Sequence, residues 1–342
     1  LKLWTSSKIK GLMKQKIPKL PQLLNRKIYK TGQTRGADDD VIYQNRVARS
    51  STVLIPFQFW GPSFKYPPGE SSFENGFIVL IPPSKFFENK NIEKELAAKG
   101  LSLGGNCLVC FETREQWDKY DPNKLNWKPA KQRHAPLGGN YIARVPATTA
   151  LNGGGKIIRG FTSTKNKGAG IRLYEYASSK TIVGCRHQLE AIYWLCFDSE
   201  KVAVENGMLA KDVQLRKSEI LKICKKEGLL DFTKLSDARI LNRERNAICP
   251  FCLEELSGAG FFSRMAQAEG REVPDLTVTE INLFHIKELR YGEYNHRPYN
   301  IAWGHHHCNV VTRDSGIEET LEWMRCILER NIKCGYKLNK FP

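Results

Sequence analysis

From residue 38 to about 120 the chain carries short apolar runs closed by turn residues. STVLIP (51–56) and GFIVLIPP (76–83) are β-branched and end at proline, which predicts strands. In NGGGKIIRGFTSTKNKGAGIRLYEY (152–176), Gly153–Gly155 and Gly168–Gly170 mark turns around strand-like residues, so a β-ribbon is expected. The period then changes. HQLEAIYWLCF (187–197) sets Leu189, Ile192, Tyr193 and Cys196 on one helical face, and a helical segment is expected over 187–232. Ser236 is expected to cap a short helix running through Arg245. VTEINLFHI (278–286) and YNIAWG (299–304) predict two further strands. The helical region that follows places Ile317, Leu321, Met324 and Leu328 on one face. Strand, loop, strand, helix makes a ββα unit.

Composition narrows the partners. The chain has 342 residues and a net charge of +17. Residues 1–37 hold ten Lys/Arg and no acid, and residues 124–186 hold twelve Lys/Arg against one acid, Glu175. The remainder is slightly acidic. Charge gathered in two segments points to a surface that follows phosphates. Arg159, Lys165, Lys167 and Arg172 on the expected ribbon are the candidate DNA contacts, and residues 1–37 read as a flexible basic arm. No run approaches the ~18 apolar residues of a membrane span, and no secretory h-region is visible, so a membrane partner is not expected.

Ten cysteines without a secretory signal suggest thiols or metal ligands rather than disulfides. Cys249 and Cys252 (ICPFC) pair with His305 and Cys308 (HHHC) as C-x-x-C … H-x-x-C, which suits a structural Zn²⁺. The 52 intervening residues make it longer than a simple ribbon. His306 and His307 lie beside this site, and His307 is the alternative ligand; Cys326 and Cys334 are reserves. Cys107 and Cys110 are expected as packed thiols on a buried strand rather than a second zinc site. His187 is expected to be structural, and His296, in NHRPYN, a surface residue.

The stretch FHIKELRYGEYNHRPYNIAWGHHHCNVVTRD (284–314) resembles the HNH, or ββα-metal, nuclease motif. NIAWGHHHCN matches the family pattern N-L-x-x-x-C-x-x-C-N with His305 in place of the first cysteine. ARILNRERNAICPFC (238–252) resembles the Arg-rich lead-in helix of zinc-bound members. KIYKTGQTRGADDDVIYQNR (27–46) and the general layout resemble BstXI-like type II restriction endonucleases.

The HNH resemblance implies His285 as general base, Asn300 as the residue that fixes strand geometry and orients that imidazole, and Asn309 as an oxygen ligand to a catalytic Mg²⁺. It implies products with a 5′-phosphate and a 3′-hydroxyl. Arg297 and Arg313 are candidate phosphate clamps. Phe284 departs from the family, which places Asp or His before the base as a metal ligand. Asn282, Glu280, Glu288, Asp314 or His285 itself are the substitutes.

The expected fold class is α+β. It consists of a basic arm (1–37), a β-containing DNA-recognition region (38–235) and a zinc-stabilised ββα-metal nuclease domain (236–342). The expected function is site-specific cleavage of double-stranded DNA by a homodimer in the bacterial cytoplasm. The competing readings are a homing or nicking HNH endonuclease, and a zinc-stabilised DNA-binding protein with a decayed centre.

Overall fold

The computed structural model describes residues 17–29, 48–130, 139–143, 170–263, 279–312 and 315–336. Its first body is a five-stranded sheet built from β1 (Val53–Pro56), β2 (Phe77–Ile81), β3 (Cys107–Phe111), β4 (Tyr141–Ala143) and β5 (Ile171–Arg172). Every pairing is parallel and the order is β4-β3-β2-β1-β5. The register sets Ile55 beside Val79, Val79 beside Cys107 and Val109 beside Tyr141.

VLI and CLVCF are apolar without alternation because both sheet faces are covered. Short helices make the crossovers: α1 (Gln22–Tyr29) precedes the sheet, and α2 (Pro83–Phe87), α3 (Ile92–Ala98) and α4 (Arg114–Tyr120) lie between strands. A capping box between Thr113 and Gln116 starts α4.

This corrects the β-rich picture of residues 38–120, whose described part, 48–120, belongs to a parallel α/β layer. The expected ribbon is corrected in its described part, since Ile171–Arg172 is a parallel edge strand against β1. Gly170 permits that approach, because a Cβ there would lie 2.0 Å from the Thr52 carbonyl oxygen.

The helical segment begins earlier than expected. It comprises α5 (Ser179–Trp194), α6 (Ser199–Glu205), α7 (Ala210–Lys226) and α8 (Phe232–Asp237). Leu189, Ile192, Tyr193 and Cys196 are all buried, as the helical period requires. Asp231, not Ser236, caps the short helix, by accepting from the Lys234 backbone N–H. The expected extension through Arg245 does not form. Arg239 and Arg245 have φ of +58° and +67°, and the chain turns into bridges pairing Leu241 with Ala247 and Ile248 with Glu255. The lead-in to the first cysteine pair is therefore not a helix.

The C-terminal body contains an antiparallel pair, β6 (Ile281–His285) and β7 (Ile301–His305), then α9 (His306–Thr312) and α10 (Ile317–Lys333). Phe284 packs over Gly304, where a Cβ would come within 2.9 Å of its ring. One hydrophobic core joins α5, α7 and α8 to β6 and β7, and Trp303 Nε1 donates to the Leu189 carbonyl at 2.8 Å. Part of the arm joins this core too: Leu24 and Ile28 of α1 are buried in it, so residues 22–29 are docked. The apolar stripe of α10 is only partly covered; Ile317 is buried, but Leu321 and Leu328 are exposed. Among the described residues, no helix is long and apolar enough to cross a membrane.

Candidate active site and metal centre

The sheet order switches direction between β1 and β5, the edge where an open parallel sheet forms a crevice at its carboxyl ends. A cavity of about 440 Å³ opens there, lined by Arg172, Tyr174, Glu175, His285, Glu288, Leu289 and Asn309. The first three follow or end β5, and the others come from the β6 end, its following loop and α9. Aromatic contacts hold the two walls together: Phe59 stacks on Tyr291 at 4.5 Å and the Tyr294 hydroxyl donates to the Lys65 carbonyl at 2.8 Å.

His285 ends β6 and is half-buried on the cavity wall. Its Nε2 lies 3.1 Å from His296 Nδ1. This overturns the surface placement of His296, which is fully buried. Burial and the Arg49 guanidinium lower the pKa of both rings, that of His285 to about 3. Both imidazoles are therefore neutral near pH 7. Arg49 itself is held by a 3.0 Å bond from Nη1 to the Glu175 carbonyl.

Asn300 directly precedes β7. Its amide donates to the carbonyls of Lys287 (2.8 Å) and Asn295 (2.7 Å), and its Oδ1 accepts from the Lys287 N–H at 2.8 Å. It ties the chain just beyond His285 to the loop carrying His296. Asn309, on α9, faces the cavity.

Of the proposed substitutes for the missing metal ligand, Glu288 shares the cavity. Asn282 donates to His306 Nδ1 (2.9 Å) and to the Thr279 carbonyl, and Phe284 is enclosed in the core. Glu175, which the sequence reading left without a role, holds Arg172 through two bonds of 2.9 and 3.1 Å. Its signal was visible as the lone acid of a strongly basic segment. Arg297 is exposed outside this cavity. Arg159, Lys165, Lys167, Arg313 and Asp314 lie outside the described residues.

The second centre is a cluster. Cys249, Cys252, His305 and Cys308 offer four ligand atoms within 4.8 Å of one another. Donors ~2.3 Å from a central ion in a tetrahedron stand roughly 3.8 Å apart, so the group fits such an ion. A tight turn presents the first two, with the Leu253 N–H bonded to the Cys249 carbonyl at 2.9 Å. The end of β7 and the first turn of α9 present the others. Burial raises the Cys249 pKa, but hydrogen bonds from His305 and the backbone outweigh it and bring the thiol to about 6. Burial pushes Cys308 up.

His306 bonds to Asn282, His307 is exposed, and His187 pairs with Glu227 at 2.9 Å. Cys107 and Cys110 are buried in β3 in different clusters on opposite sheet faces, so they cannot share an ion.

The model of the BstXI restriction endonuclease family matches residues 26–306. The chain belongs to the BstXI restriction endonuclease family. A solved structure described as the crystal structure of a type II restriction endonuclease is similar at 13% identity and a TM-score of 0.24. That similarity covers 46% of this chain and 57% of the neighbour, so the chain spans little more than half of that protein. Among curated proteins none matches significantly. In this BstXI-family chain, the crevice at the β1/β5 switch is where sheet and hairpin residues meet.

Proposed function

We propose that this BstXI-family chain is a type II restriction endonuclease that hydrolyses double-stranded DNA at a specific sequence, using an HNH-type site in the β5/β6 cavity. The observation that carries the reading is His285 at the end of β6, sharing one cavity with Asn309 and Glu288. A neutral imidazole offers its lone pair to a water proton, and the negative charge of a phosphate bound in the cavity would raise the proton affinity that burial and Arg49 lower. Its Nε2 is engaged by His296, which leaves Nδ1 to accept that proton. Asn300 fixes the backbone on either side of this pair.

The oxygen donors Asn309 and Glu288 suit a hard cation, and Glu288 fills the role that Phe284 cannot. When bound, Mg²⁺ would stabilise negative charge on the phosphate and on the departing oxygen. Arg172, oriented by Glu175, can steady a phosphate at the mouth of the cavity. Arg159, Lys165, Lys167, Arg297 and Arg313 remain the wider set for DNA contact. Zn²⁺ at the Cys₃His cluster would fasten the turn at 249–252 to the hairpin and α9.

A homodimer suits a two-fold symmetric target. The exposed apolar stripe of α10 supports that reading. Leu321, Leu328 and Ile332 are exposed, with Glu318, Glu319 and Glu322 in its first half and Arg330 and Lys333 in its last turn. Antiparallel pairing of two copies would join apolar stripes and set acidic halves across basic ones. The restriction reading also carries cytoplasmic location in a bacterium.

Digestion of long phage DNA with Mg²⁺ tests the function. Discrete fragments support a restriction enzyme. A smear keeps the nuclease and removes site specificity, nicking of one strand favours a nicking or homing enzyme, and DNA retardation without cleavage favours the decayed centre.

A further inference from the structure

His296 pairs with His285, which lines the larger cavity, and itself lines a second, smaller one. Its Nδ1 meets His285 Nε2 at 3.1 Å. Its Nε2 is buried without a protein partner, and the residue lines a separate cavity of about 130 Å³ with Glu70, Tyr176, Thr181 and Tyr294 among others. The ring is held in place by its neighbours: the Asn295 carbonyl accepts from Asn300, and the Tyr294 hydroxyl is anchored on Lys65.

Only one proton can lie between the two facing nitrogens. If His296 donates from Nδ1, then neutral His285 carries its own proton on Nδ1 and has no lone pair for water. If His285 donates from Nε2, its Nδ1 lone pair is free, and His296 carries its proton on Nε2. The second arrangement alone makes His285 a base.

We propose that His296 is the positioning residue for His285: it accepts the Nε2 proton through Nδ1, and so fixes the tautomer and the ring plane of the base. The inference rests on His285 being the base. It follows the logic by which a base is oriented by a third group. After the base takes a proton at Nδ1, the imidazolium keeps its Nε2–H bond to His296, so positive charge forms on a ring already held. The side-chain hydrogen bonds of Asn300 run to the backbone of Lys287 and Asn295, whereas His296 bonds the ring itself, so the orientation that the HNH resemblance assigns to Asn300 falls to His296.

The test uses the geometry of the amide side chains. Asn places its amide where His has Nδ1; Gln places its amide near Nε2. The full-length chain is compared with His296→Asn, His296→Gln, His296→Leu and His285→Ala. Single-turnover and steady-state cleavage with Mg²⁺, DNA binding without Mg²⁺ and thermal melting are measured for each.

The expected result is that His296→Asn retains cleavage within about threefold of wild type, while His296→Gln and His296→Leu lose about 10- to 100-fold in kcat, part of the ~10²–10⁴ that a general base contributes. KM and DNA binding should hold. Wild-type kcat in His296→Leu, or equal losses in the Asn and Gln variants, overturns the inference. If His296→Leu does not fold, the Asn and Gln pair decides. Full activity in His285→Ala overturns the base reading itself, whereas an inactive His285→Ala beside a fully active His296→Leu removes only the role of His296.

Discussion

Cys252 Sγ lies 3.2 Å from His305 Nδ1, although 53 positions separate them in the chain. The loop between them holds the hairpin strand β6, so an ion at this cluster would close a long excursion and fix where β6 starts and β7 ends. Structural zinc in small modules contributes about 10–16 kcal/mol. Elemental analysis of the purified chain should give one zinc per chain. Cys308→Ser should lower that content and the melting temperature, and it should weaken cleavage by displacing α9 and Asn309. Full stability after exhaustive chelation would refute a structural role for the ion.

The Glu190–Arg216 pair predicts a large stability effect away from the site. Arg216 Nε is 2.5 Å from Glu190 Oε1, both side chains are buried, and Tyr29 donates to Glu190 Oε2 at 2.8 Å. This network pins α1 to α5 and α7. Arg216→Met leaves Glu190 charged and uncompensated, at a cost of about 3–5 kcal/mol. The double variant Glu190→Met/Arg216→Met should recover much of that loss. Denaturant melts of the single and double variants check this.

The histidine pair predicts an acid-sensitive fold. Burial and Arg49 lower the folded-state pKa of His285 to about 3, below the ~6.5 of an unfolded histidine. Between those values the unfolded chain binds a proton that the folded chain refuses. The stability it contributes is therefore full above pH ~6.5 and is lost as pH falls toward 3, at about 1.4 kcal/mol per pH unit for one such group. Replacing His285 with Asn should flatten the curve over that window. An unchanged slope would show that the ring is protonated in the folded state.

Exposed Leu321, Leu328 and Ile332 on α10 predict the oligomer. Sedimentation of the wild type should report a dimer, and Leu328→Glu a monomer. Glu319→Arg and Arg330→Glu should each weaken the dimer, and the double exchange should restore it. A dimer unaffected by Leu328→Glu would place the interface elsewhere.

The strands and the cysteine–histidine set were legible from local residues, whereas His285, Asn300 and Asn309 were singled out by the HNH resemblance. Strands at 281–285 and 301–305 followed from their apolar runs, and the Cys₃His set followed from spacing alone. The parallel pairing of β1 to β4 was not legible. Crossover helices of five to seven residues are too short to show a helical period, and register is decided by partners far along the chain. The burial of His296 was hidden for a similar reason. Its neighbours in sequence are polar, and the contacts that enclose it come from Tyr176 and the segment around Pro67, more than a hundred residues away. The expected helix before Cys249 failed at Arg239, whose positive φ reflects a local turn that a run of good helix formers did not announce.

If His285 is the base, its removal stops cleavage and leaves binding intact. Wild type and His285→Ala are compared on long DNA with Mg²⁺, with DNA binding followed in the absence of the metal. Wild type should give discrete fragments, the variant should lose about 10²–10⁴ in cleavage rate, and both should bind equally. Cleavage by His285→Ala at the wild-type rate would contradict that role of His285.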